Sequence, residues 1–136
     1  MKIFLDTNVI LDVLVKREPF YIDSSKVLTL VNEKIVSGYI SAITINNIYY
    51  ILRKLKDKET AKTFITETME SFEIIPLTKD ILSQANKISI DDYEDGIQFF
   101  SALDCGCDFL ITRNDKDYPS LGIRIMTPTE FINTDS

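Results

Sequence analysis

The opening residues commit the chain to a strand that runs through a polar turn into a helix. Met1-Lys2-Ile3-Phe4-Leu5 is mostly apolar and stops abruptly at Asp6-Thr7-Asn8. Val9, Ile10, Val13 and Leu14 then recur at helical spacing. In a parallel α/β sheet, ligands bind at the carboxyl ends of the strands. Asp6 stands at such an end with no Lys or Arg in its turn. It is therefore either a helix N-cap or a metal ligand.

The same alternation continues along the chain. Ser24, Val27, Leu28, Val31 and Ile35 predict an amphipathic helix, with Asp23 as its N-cap and Ser37-Gly38 as its stop. Tyr39-Ile40-Ser41-Ala42 reads as a short strand. Thr44 is placed to cap the next helix, whose stripe is Ile45, Ile48, Tyr49 and Leu52. A charged hinge, Lys54 to Glu59, separates it from a helix marked by Ala61, Phe64, Ile65, Thr68, Met69 and Phe72. Glu73-Ile74-Ile75-Pro76 is strand-like, and Thr78 caps a helix carrying Ile81, Leu82, Ala85 and Ile88. The acidic run Asp91-Asp92-Tyr93-Glu94-Asp95 opens a helix that continues to Gly106. Asp108-Phe109-Leu110-Ile111-Thr112 is a buried strand with a polar exit loop, Arg113 to Pro119. Gly122 to Met126 forms a last strand, and Pro128 begins a terminal helical turn. Strands alternating with helices predict an α/β fold in three layers, α/β/α, around a central parallel sheet. With 136 residues and no repeat or dividing linker, residues 1–136 read as one domain.

Composition narrows the chemistry. The chain has no histidine, which removes Ser-His-Asp and Cys-His catalysis and His-ligated zinc. Carboxylates and hydroxyls without His or Cys clusters favour hard cations, Mg²⁺ or Mn²⁺. Cys105 and Cys107 fit neither a zinc pattern nor a structural disulfide, and read as small core residues in a reducing compartment. A net charge of −6 is wrong for nonspecific coating of nucleic acid, but suits an acidic metal pocket or a basic protein partner. No apolar run approaches the roughly 20 residues of a membrane helix. No signal peptide is visible, so the expected compartment is the cytoplasm.

Three strands end in polar turns: at Asp6-Thr7-Asn8, at Ser41 and at Thr112-Arg113-Asn114. In a parallel sheet these ends share one edge. Asp95 is the fourth element. Its i+4 and i+7 neighbours are Phe99 and Ala102, so its carboxylate falls on the core-facing stripe of its helix. An acid there is costly unless it is paired or holds a cation. Each position also has a plainer reading. Asp6 could simply cap its helix. Asp92, Glu94 and Asp95 could complement a helix dipole. Thr112-Arg113-Asn114 could be an ordinary turn.

In order and spacing, these blocks resemble the PIN-domain family across essentially the whole chain. Asp6-Thr7-Asn8 is similar to its opening, and Ser41-Ala42-Ile43-Thr44-Ile45-Asn46-Asn47 to its second block. Asp95 with Phe99-Phe100-Ser101-Ala102-Leu103, then Phe109 to Asn114, is similar to its third and fourth. Toxin ribonucleases of the VapC type are its small bacterial members. The resemblance implies a Mg²⁺- or Mn²⁺-dependent ribonuclease. In it Asp6 and Asp95 are metal-binding carboxylates and Thr112 is a hydroxyl near Asp6. RNA would be the substrate and a small antitoxin the protein partner.

Two positions depart from the family pattern. Asn47 stands where a helix Glu is usual, and Asn114 where a fourth Asp is usual. Both lose a negative charge, which favours a single weakly held ion, with Asn114 contributing through a water. Asn47 could instead support the Thr44 cap. Glu94 and Asp117 are the acids best placed to compensate, whereas Asp12, six residues after Asp6, faces a different way. Thr7 and Asn8 support the site. Arg113 could contact RNA phosphate or pair with an acid. Tyr49, Tyr50, Phe99 and Phe100 could stack bases, and Tyr49, Tyr50 and Phe100 could supply a homodimer patch. A PIN-like domain that has lost catalysis and binds RNA or protein competes with the nuclease. A flavodoxin- or receiver-like module is weaker, because no phosphate-binding glycine loop exists.

Overall fold

A computed structural model describes residues 1–88, 92–119 and 122–134. Asp91, part of the acidic run, lies outside the described residues. Five strands, β1 (Lys2–Leu5), β2 (Ser37–Ser41), β3 (Phe72–Ile75), β4 (Phe109–Ile111) and β5 (Arg124–Met126), form one parallel sheet in the order β3-β2-β1-β4-β5. Ile3, Phe4 and Leu5 in the central strand are each 0% exposed, as expected for a strand covered on both faces.

Alternation of side chains along β1 splits the core in two. Ile3 and Leu5 pack with α1 (Thr7–Leu14), α2 (Tyr21–Asn32), α3 (Ala42–Leu55), α4 (Lys58–Ser71) and α7 (Pro128–Ile132). Phe4 packs on the other face with α5 (Lys79–Lys87) and α6 (Tyr93–Asp104). The result is the three-layer α/β/α arrangement that the strand–helix alternation predicts. Among the described residues, no helix is long and apolar enough to cross a membrane.

Several local boundaries differ from the sequence expectation. α2 begins at Tyr21 without a side-chain cap, so Asp23 lies in its first turn. There it accepts a hydrogen bond from Thr129 Oγ1 at 2.6 Å, tying α2 to α7. Ser37-Gly38 is not the stop of α2 but the start of β2. The chain leaves the helix earlier, with Lys34 in the left-handed region at φ 61. Ser41, not Thr44, caps α3, accepting from the Ile43 amide at 3.1 Å. Both residues carry a hydroxyl, and the end of β2 brings Ser41 to the helix start first. Thr44 is instead fully buried, its hydroxyl 2.8 Å from that of Thr7. Thr78 caps α5 as expected, and Thr127 with Glu130 forms a capping box on α7.

Gly38 is demanded by space. A Cβ there would come within 2.7 Å of both the Phe72 ring and the Val31 side chain. Gly38→Ala should therefore lower the unfolding free energy by about 1–3 kcal/mol through overpacking. Urea denaturation measures this, and an unchanged midpoint would show that Phe72 and Val31 move aside without cost.

Candidate active site

The site is built by the register of β1 and β4. Ile3, Phe4 and Leu5 pair with Phe109, Leu110 and Ile111, so Asp6 and Thr112 leave the sheet side by side. The Asp6 amide donates to Ile111 O at 3.0 Å, and the Thr112 amide to Met126 O at 2.9 Å. Thr112 Oγ1 then donates to Asp6 Oδ2 at 2.7 Å. Asp6, 1% exposed, also caps α1 by accepting the Asn8 amide on Oδ1 at 3.1 Å. Cap and candidate ligand are thus compatible roles for one carboxylate. Thr7 fixes the same turn, its amide donating to Gln98 Oε1 on α6 at 2.9 Å.

α6 brings in the other acids. Asp92 caps it, its Oδ1 accepting the amides of Glu94 at 2.8 Å and Asp95 at 3.4 Å. Phe99 and Ala102 are buried on the same stripe. A cleft of about 370 Å³ is lined by Asp6, Asn8, Asn47, Glu94 and Asp95, with Tyr50 among its walls. Across it Asn47 Nδ2 donates to Glu94 Oε1 at 2.6 Å. Asn47 therefore orients a carboxylate from α6 and plays no part in capping α3.

Tyr118 is the functional residue that sequence reasoning missed. It follows a 3₁₀ turn, Asp115–Asp117, and is 6% exposed. Its hydroxyl lies 3.1 Å from Asp6 Oδ2 and 3.2 Å from Asp95 Oδ1. The only hint in the sequence was an aromatic residue inside an otherwise polar exit loop. Gln98 was likewise unmarked, since a lone amide among apolar neighbours carries no motif.

Other candidates are placed less centrally. Asn114 is exposed; its amide donates to Thr112 Oγ1 at 3.2 Å, but its side chain neither lines the cleft nor hydrogen-bonds an acid among the described residues. Asp117 is exposed, yet near enough to act electrostatically on Asp95. Of the two roles open to Arg113, the structure shows the pairing with an acid. Its guanidinium lies 3.3 Å from Asp12 Oδ1 and stacks over the Phe20 ring at 4.7 Å, because Asp12 is 0% exposed and needs countercharge. Arg17 approaches the same oxygen at 3.5 Å. Asp12 is absent from the lining of the acidic cleft, as its spacing from Asp6 predicts. Phe99, 1% exposed, has no face to offer a base, whereas Tyr50 is 62% exposed.

Crowding of acids shows in their proton affinities. Burial, then the charges of Asp6 and Asp92, push Asp95 up to about 7, against the lowering effect of the Tyr118 hydrogen bond. Burial, Asp92 and Asp6 also raise Glu94, opposed by the Asn47 donor. Burial and the two carboxylates it meets, Asp6 and Asp95, push the Tyr118 phenol up, so it stays protonated as a donor.

Hard oxygen donors under mutual repulsion fit Mg²⁺ or Mn²⁺. Among the described residues, no three acidic, His or Cys side chains converge tightly enough to enclose an ion with protein atoms alone. Mg²⁺ takes one or two protein carboxylates and fills its other positions with water and substrate phosphate.

With this geometry in hand, a family model described as PIN domain matches residues 2–116. The chain belongs to the PIN-domain family. It is VapC-like: it is 32% identical over 135 residues to ribonuclease VapC1 of Aquifex aeolicus (strain VF5), covering 96% of this chain and 92% of that protein. This PIN domain also shares its fold with solved structures. The VapBC2 structure from Rickettsia felis, bound to a promoter DNA fragment, aligns with a TM-score of 0.69 at 19% identity, covering 93% of this chain and 98% of that one. A toxin–antitoxin complex from Klebsiella pneumoniae aligns with a TM-score of 0.68 at 22% identity, covering 92% and 96%.

Two outcomes follow from these electrostatics. The folded chain holds the Asp95 proton up to about 7, whereas an unfolded carboxyl releases it near 3.8. The stability this group adds is complete at acid pH and is lost as pH rises through about 7. The metal-free protein should therefore melt at lower temperature as pH rises from about 5 to about 8, with Glu94 acting in the same direction. Asp95→Asn should flatten that slope, and a level or rising wild-type curve would contradict it. Arg113→Ala should destabilise the fold, toward the lower end of about 3–5 kcal/mol because Arg17 remains. An unaltered denaturation midpoint with weaker RNA binding would return Arg113 to a phosphate-binding role.

Proposed function

We propose that this PIN domain is a divalent-metal-dependent endoribonuclease acting in the cytoplasm as the toxin of a toxin–antitoxin pair. The observation that carries the reading is the convergence of Asp6 and Asp95 on one buried hydroxyl, with Glu94 in the same cleft. No Lys or Arg neutralises these three among the described residues, which is the charge pattern of a cation site.

Asp6 and Asp95 would hold Mg²⁺ or Mn²⁺, with Glu94 beside them. The ion supplies Lewis-acid polarisation of a phosphoryl oxygen and activation of water for phosphodiester hydrolysis. Thr112 and Asn8 keep Asp6 aimed by donating to its two oxygens. Asn47 keeps Glu94 in the cleft. With so few carboxylates, a single ion is favoured over a pair. Asn114 and Asp117 stand in the exposed segment after β4 and would act on the ion only through water. Tyr50, exposed on the cleft wall, offers a flat face to an unpaired base, which favours single-stranded RNA.

The chain's net charge of −6 sets the partners. RNA approaches an acidic cleft only with its ion in place, and a small basic protein is the complementary ligand. The ribonuclease name of the Aquifex relative and the toxin–antitoxin complex from Klebsiella support these two assignments. One observation favours a second reading, a domain that binds RNA without cutting it. Asn47 spends its donor on Glu94 and Asn114 is exposed, so both positions lack the charge a stronger ion site would have.

Incubation with structured and unstructured RNA, with Mn²⁺ or with EDTA, separates the two. Cleavage should require the metal and stop in EDTA, and Asp6→Asn and Asp95→Asn should each reduce it roughly hundredfold or more. Cleavage that persists in EDTA or in Asp6→Asn would overturn the nuclease assignment. Metal-dependent retention of intact RNA would establish the binding module instead.

A further inference from the structure

The Tyr118 ring is packed in the apolar cluster with Phe4, Leu110 and Ile123, so the loop after β4 delivers its hydroxyl to the cleft from a fixed base. Asp6 does not depend on it. Thr112 and the Asn8 amide already hold both Asp6 oxygens. Asp95 differs: among the described residues, the Tyr118 hydroxyl is the sole hydrogen-bond donor to its carboxylate. Its helix contributes only backbone, through the amide that donates to Asp92.

We propose that Tyr118 is the positioning residue of the ion site, turning Asp95 toward Asp6 and leaving Asp95 Oδ2, together with the lone pair of Asp6 Oδ1 that the Asn8 amide does not use, to face a divalent cation. The inference rests on the ion-site reading above and goes beyond it. Without the hydroxyl, the Asp95 side chain is free to rotate away from a neighbour of like charge. The ion would then have to bear both the repulsion and the lost rotational freedom. A donor that fixes a ligating carboxylate is worth about 10–100-fold in metal affinity. Tyr118 remains a positioning group, because its hydroxyl is occupied by the two carboxylates and the residue is absent from the lining of the cleft.

Mn²⁺ titration of the full chain, read by calorimetry or by the electron-spin signal of free Mn²⁺, tests the proposal without any turnover. Tyr118→Phe keeps the ring in its cluster and should raise the Mn²⁺ Kd about tenfold. In an Asp95→Asn background the same substitution should change Kd less than about twofold, because the group it positions is gone. In the unaltered protein, substoichiometric Mn²⁺ should broaden the Tyr118 ring resonances ahead of those of the other tyrosines. This reading stands even if Tyr118→Phe folds poorly. An unchanged or tighter Kd in Tyr118→Phe, an equal loss in both backgrounds, or an unbroadened Tyr118 ring would each overturn the proposal. Wild-type protein that takes up no Mn²⁺ would overturn the ion-site reading and this proposal together. Wild-type uptake with an indifferent Tyr118→Phe would overturn the role of Tyr118 alone.

Discussion

Parallel hydrogen bonding between β1 and β4 brings together residues 106 apart in sequence, and the cleft follows from that pairing. A slip of one residue would turn every side chain of β1 to the opposite face and exchange Phe4 with Ile3 and Leu5 between the two cores. The two apolar clusters therefore fix the register, and the register fixes which polar residues emerge together. Asp6 meets Thr112 because the three residues before each are locked into opposite halves of a packed core. The geometry of the cleft is here a by-product of burial.

Two groups of buried or half-buried acids are treated differently. Asp12 is sealed from water and met by the guanidinium groups of Arg17 and Arg113. Among the described residues, Asp6, Glu94 and Asp95 receive only hydroxyls and amides. Neutral donors orient a carboxylate without cancelling its charge, so negative potential is kept in the cleft and removed elsewhere. Arg113 belongs to the same segment as the cleft residues, yet its charge is directed away to Asp12. This division keeps the cleft electronegative although a cation stands next to Thr112 in the chain.

Legibility in the sequence followed the range of the interaction. The apolar runs at Ile3–Leu5 and Phe109–Ile111 and the helical spacing of Phe99 and Ala102 from Asp95 are local. They were sufficient for the layer architecture and for singling out Asp6 and Asp95, while the family resemblance added Thr112 beside Asp6 and Asn47 and Glu94 near them. Caps were less readable where two hydroxyls compete within one turn, as Ser41 and Thr44 do. Gly38 looked like a helix stop because its real constraint, the Phe72 ring, comes from another strand. Tyr118 and the Asn47–Glu94 pair were invisible for the same reason: each joins elements whose proximity exists only after folding.

The stretch from Thr112 to Tyr118 is anchored at its two ends to different layers. Arg113 grips α1 and the Phe20 ring on one side of the sheet, while Tyr118 is embedded in the cluster beneath α5 and α6 on the other. The segment thus acts as a tie-rod across the sheet's edge. One short loop therefore joins the packing of both helical layers to the strand end where Asp6 and Thr112 meet.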